Sequence, residues 1–197
     1  MHRFLTRVFD LRLIAIAAAL TLCVAPAAHS AVVVYGCQLD GYSEFPSNSS
    51  PAIGSAEVDI DAAAHTMRVQ VSFVGLVGNT TASHIHAPTS LPGAGTAGVA
   101  TTTPTFAGFP LTVTAGAYDN TLLLTSSSSY NPSYVTANGG TVAGAESALL
   151  SAIAAGKAYL NVHTTAVPAG EIRGFLIPVD PTPSHPTSWG RVKALYR

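Results

Sequence analysis

Between Ile53 and Phe73 polar and apolar residues alternate with a period of two. Ala56, Val58 and Ile60 fall on one face, with Glu57, Asp59 and Asp61 on the other. After a short turn at 61–65 the alternation resumes: Met67, Val69, Val71 and Phe73 against Arg68, Gln70 and Ser72. Side chains of a strand point to opposite faces in turn, so this stretch predicts an antiparallel hairpin with one wet face. Upstream, the β-branched run from Val32 to Leu39 predicts a first strand, and the polar segment Gly41–Pro51 a loop. Downstream, Gly75–Thr81 breaks the pattern and leads into Ala82-Ser83-His84-Ile85-His86-Ala87-Pro88. Thr89–Gly98 reads as a loop long enough to cover a site. Val99–Thr125 reads as further short strands, and Ser126–Gly140 as an irregular polar insertion.

A helical period occurs at 144–156, where Leu149, Leu150, Ile153 and Ala154 form an apolar stripe ended by Gly156. Lys157–His163 then reads as a strand, Thr164–Gly170 as a turn, and Glu171–Pro178 as the last strand. The pattern predicts an all-β antiparallel domain with one short helix.

The chain's first thirty residues change the size of that domain. Arg3, Arg7 and Arg12 precede the apolar run Leu13–Ala25, and small residues follow at 27–31, with Ala28 and Ser30 at the −3 and −1 positions. Charged, apolar and small-residue regions in this order are those of a secretory signal peptide. The run is short for a membrane span, and Leu22 before Cys23 is too bulky for a lipoprotein cleavage site. Without residues 1–30 the chain keeps 167 residues, 6 of them basic and 9 acidic. That length suffices for one domain, residues 31–178, followed by a Pro-rich polar tail at 179–197 that has no apolar span. No basic patch points to nucleic acid. Charged residues are only 10% of the chain, which suits an exported β domain, secreted or periplasmic, better than a cytosolic helical enzyme, and the Ala-rich signal points to a bacterial source. Cys37 is left without a partner, so core packing must hold the fold, and its apolar strand makes it a small hydrophobe.

The chemistry concentrates in two distant stretches. In the first, His84 and His86 share a face while Ile85 takes the other. In the second, Tyr159-Leu160-Asn161-Val162-His163-Thr164, the residues Tyr159, Asn161 and His163 share a face opposite Leu160 and Val162. If the two strands are neighbours, three imidazoles converge. Neutral imidazole suits copper, zinc, iron and nickel, and an exported all-nitrogen site makes copper the first choice and zinc the second. The alternative for the same residues is a polar network without an ion, in which the imidazoles bond to backbone, Asn161 and Glu171. His65 lies in a turn and cannot be placed at the site. Arg173 shares a face with Glu171 on the last strand: Arg173 would guide an anion by its field and Glu171 orient an imidazole or add an oxygen ligand, or the two would form a structural pair. No Gly-x-Ser-x-Gly elbow, spaced carboxylate pair or phosphate loop is present.

The order of a strand ending "FVGL", then "ASHIHAP", then a short helix running into "GKAYLNVHTTAVPAGEIRGFL" resembles the CHRD domain, first described in chordin and found in many exported microbial proteins. The resemblance covers about Val33 to Ile177. It implies a Greek-key or immunoglobulin-like β-sandwich, and it implies no particular chemistry. The histidines also bear a local similarity to copper–zinc superoxide dismutases, with His84 and His86 matching a His-x-His pair and His163 a late histidine. The bridging histidine and the disulfide of those enzymes have no counterpart. Three readings follow: a binding module that holds one metal ion, a copper-dependent redox enzyme of superoxide-dismutase type, and a structural surface protein without metal.

Overall fold

The computed structural model describes residues 32–179. The signal peptide expected at 1–30 lies outside the described residues, and so does the tail beyond 179. Eight strands form one sheet: β1 (Val33–Asp40), β2 (Ile53–Asp61), β3 (Thr66–Val74), β4 (Thr80–His86), β5 (Gly116–Leu123), β6 (Tyr159–Thr164), β7 (Ile172–Phe175) and β8 (Ile177–Pro178). The strand order is β4-β6-β7-β1-β2-β3-β5, with β8 beside β1, and every pairing is antiparallel. The segment entering β5 also bonds back to β4: Thr80 N–H donates to Val113 O and Thr112 N–H to Thr80 O, both at 2.9 Å. The ends of the strand order thereby approach each other, and the sheet curls into a half-barrel. The expected all-β antiparallel fold is present, its opposed walls being parts of one sheet.

The hairpin is where the alternation placed it. Val58 faces Val69 and Ser55 faces Ser72 across the β2–β3 register. Asp61 Oδ1 accepts from the amides of Ala63 and Ala64 at 3.0 and 2.9 Å, and His65 takes a left-handed φ of 54° to close the turn. The apolar face, with Val58, Met67 and Val69 fully buried, forms one wall of the core. The opposite face is wet and charged, with Arg68 reaching Asp119 of β5 at 2.5 Å.

The expected helix is α2 (Val142–Ala154), preceded by a shorter α1 (Pro132–Ala137). Thr141 caps α2 through its hydroxyl, which accepts from Gly144 N–H at 3.0 Å. Leu149 and Ile153 are buried with no exposure and carry the helix against the sheet. Helix α1 corrects the reading of 126–140 as wholly irregular. Asn131 caps it, accepting from Ser133 N–H, and Pro132 occupies the first turn. Six residues are too few to display a helical period, so the cap and proline were its only signals. The reading of 99–125 as several strands is also corrected, since only 116–123 is a strand. The stretch before it is held by single bridges and by Phe106, which inserts fully into the core.

Candidate metal centre

Strands β4 and β6 are neighbours, paired Ala82↔His163, His84↔Asn161 and His86↔Tyr159. The two faces of this pair differ completely. Ile85, Leu160 and Val162 have no exposure and point into the main core. His84, His86, Tyr159, Asn161 and His163 occupy the other face, beneath the loops at 41–46, 87–106 and 165–170. The three rings form a near-equilateral triangle, with centroids 5.2, 5.7 and 5.9 Å apart. One ligand nitrogen from each ring lies within 4.8 Å of the others. His84 and His86 are buried and His163 is half-buried.

Each imidazole is anchored through its other nitrogen by a backbone carbonyl. His84 Nε2 bonds Pro104 O at 2.5 Å, His86 Nδ1 bonds Ala97 O at 2.9 Å, and His163 Nδ1 bonds Pro168 O at 2.9 Å. A carbonyl only accepts, so each of these nitrogens must carry the proton. In the neutral rings His84 Nδ1, His86 Nε2 and His163 Nε2 are then left as lone pairs. His84 Nδ1 stands 3.3 Å from His163 Nε2. Two nitrogens bound to one ion at about 2.0 Å with a tetrahedral angle are about 3.3 Å apart. Without an ion, that approach sets one lone pair against another.

A proton does not resolve the conflict at neutral pH. Burial pushes His84 down to about 4, and the neighbouring imidazoles push the same way, against the Pro104 hydrogen bond. Burial likewise holds His86 at about 4, and it lowers His163. The cluster offers three neutral nitrogen donors, oriented in advance, which is what an imidazole metal site requires.

Around it lies a polar layer. The His86 ring stacks on Tyr159 at 4.8 Å and 3°. The Arg173 guanidinium lies over the Tyr159 ring of this stack, 4.7 Å from its centroid. Arg173 is buried, donates from Nε to Ser43 O and from Nη1 to Gly95 O at 3.0 Å, and sits 3.7 Å from Glu44. It ties two covering loops to the sheet. Its acidic neighbour is Glu44, which the sequence reading did not single out. Burial raises the Glu44 carboxyl to about 7, against the pull of Arg173. A lone acid in a polar loop carries no local signal of this role.

Asn161 is buried on the imidazole face. Its side chain favours the charged form of His86 and also that of Glu44. Asn161 Oδ1 itself has no hydrogen-bond partner, and neither do Glu44 Oε1 and His86 Nε2 beside it. Gly170, at φ 134°, leaves room for both side chains: a Cβ there would stand 2.5 Å from Glu44 Oε1 and 2.7 Å from Asn161 Nδ2.

Glu171 is placed differently from the reading that had it orient an imidazole. Its two oxygens accept from Ser50 Oγ, Val77 N, Gly78 N and Thr164 Oγ1 at 2.6 to 3.2 Å. Burial opposes its charge, yet those four donors outweigh burial and hold the carboxyl below its ordinary value. Glu171 joins three loops instead, and it is Glu44 that pairs with Arg173. His65 lies away from the cluster, bonded to Glu146 of α2 at 2.8 Å. Cys37 is half-buried and free, its thiol pushed up to about 12 by burial. No helix among the described residues is long and apolar enough to cross a membrane.

Fold and site together define a class: an all-β domain that carries a three-imidazole cluster on one strand pair. The CHRD domain family model matches residues 35–176, and the chain belongs to that family. No curated protein and no solved structure matches the chain.

Proposed function

We propose that the protein is an exported CHRD-domain binding module that holds one metal ion through His84 Nδ1, His86 Nε2 and His163 Nε2. One observation carries the reading: three carbonyl-anchored imidazoles each keep a free nitrogen, one ligand atom of each ring lies within 4.8 Å of the others, and the nitrogens of His84 and His163 are 3.3 Å apart. All-nitrogen donors and the rise in divalent affinity towards copper make copper the first ion and zinc the second. Export rests on the charged, apolar and small-residue order of residues 1–30.

The experiment is direct. Purified protein is loaded with Cu2+, washed and analysed for metal, then challenged with Zn2+. The expected result is about one equivalent retained by the wild type and by His65→Ala, and none by His163→Ala. Equal retention by His163→Ala would sink the reading. A superoxide-dismutation assay on the copper-loaded protein tests the enzyme alternative, in which Arg173 would steer the anion.

A further inference from the structure

Among the described residues four buried side-chain polar atoms have no hydrogen-bond partner: His86 Nε2, Asn161 Oδ1, Glu44 Oε1 and Tyr134 Oη. The first three belong to one neighbourhood, and buried polar atoms in folded proteins are nearly always paired. Asn161 stands opposite His84 in the β4–β6 register. On its own strand it lies between Tyr159 and His163, two residues from each, so all three share a face. Directly opposed residues bring their Cβ atoms to about 5 Å, which places the Asn161 side chain beside His84 on the imidazole face. Its Nδ2 and Glu44 Oε1 both lie against Gly170, 2.7 and 2.5 Å from where a Cβ would stand there. The oxygen, at the other end of the amide, meets no donor. His86 Nε2, its neighbour there, offers only a lone pair.

We infer that Asn161 Oδ1 is a fourth ligand, completing an N3O site whose ion is held by His84, His86 and His163. This rests on the three-imidazole reading. An amide carbonyl is a neutral oxygen donor with a lone pair to give, and a cation at the centre of the triangle supplies the positive partner that both orphaned atoms lack. The ion is enclosed by four protein donors, which suits retention of a metal more than turnover at an open position.

The test uses Co2+ as a spectroscopic probe on the whole protein, with Asn161→Leu, close in volume but without a donor, and Asn161→Asp. Wild-type protein is expected to give intense four-coordinate d–d bands that excess azide leaves unchanged. Asn161→Leu should bind Co2+ about 10- to 100-fold more weakly, and its bands should respond to azide at the vacated position. Asn161→Asp should keep the band envelope and bind at least about 10-fold tighter, through an anionic oxygen. If the Leu variant does not fold, the Asp variant decides alone, and unchanged affinity there overturns the assignment. Azide-sensitive wild-type bands, or a Leu variant that matches wild type, also overturn it while leaving the three-imidazole site standing. Absence of Co2+ uptake by the wild type overturns both.

Discussion

The two faces of the β4–β6 pair have the same backbone and opposite chemistry. On one, Ile85, Leu160 and Val162 are sealed in the core that also holds Val58 of β2, Met67 of β3 and Leu149 of α2. Each such side chain contributes roughly 1.5–3 kcal/mol by leaving water. On the other, His84, His86 and Asn161 are almost as well shielded and His163 is half-buried, yet their polar atoms are only partly satisfied. The apolar face gains from burial. The imidazole face loses by it, since burial holds the rings neutral and forces lone pairs together. The pair teaches that burial alone does not distinguish stability from function; what distinguishes them is whether the buried atoms are content without a guest.

Substitutions can break this comparison from either side. The largest effect is expected from Leu160→Ala, which should cost about 2–5 kcal/mol in denaturant unfolding, while the folded fraction still binds one equivalent of metal. His163→Ala should do the reverse. Metal affinity should fall at least about 100-fold, or about 2.7 kcal/mol, with the metal-free stability changing by less than about 1 kcal/mol, because a repulsive contact is lost with the ring. A large loss of metal-free stability in that variant would return the histidines to a structural network. Glu171→Gln should be destabilised by about 1–3 kcal/mol, since an amide cannot accept all four donors, with copper affinity unchanged. A weakened metal site there would restore Glu171 as an orienting group.

Proton linkage sharpens the contrast further. His84 and His86 have folded values near 4 against an ordinary 6.5, so below 6.5 the unfolded chain takes up protons first. Their contribution is complete above about 6.5 and is lost as pH falls towards 4. Metal-free protein should therefore lose stability over that window, and bound copper should shift the onset to lower pH. Glu44, near 7 in the fold, acts in the opposite sense: its contribution is present below about 4.5 and lost as pH rises through 7. Glu44→Gln should remove that neutral-side decline, readable in melting temperatures at pH 5 and 8. The smallest effect is expected from Arg173→Lys, about 1 kcal/mol of stability from the poorer stack on Tyr159, with metal affinity nearly unchanged. A strong loss of copper binding would place the guanidinium closer to the ion than its bonds to Ser43 and Gly95 suggest.

Much was legible in the residues alone. Alternation located the β2–β3 hairpin and its wet face, since a period of two is imposed by the backbone itself. The same period placed His84 with His86, and Asn161 with His163, on common faces, and Leu149 and Ile153 marked the helix. These are local rules that need no knowledge of the rest of the chain. The adjacency of β4 and β6, about eighty residues apart, is not local. It arises because the core-facing halves of both strands must be buried at once. Tertiary structure alone also chose Pro104, Ala97 and Pro168 as the carbonyls that fix each tautomer, gave Glu171 to Ser50, Val77, Gly78 and Thr164, and brought Glu44 to Arg173. Loops decide such contacts by where the packed sheet lets them close, and a carbonyl looks the same in every residue of a sequence.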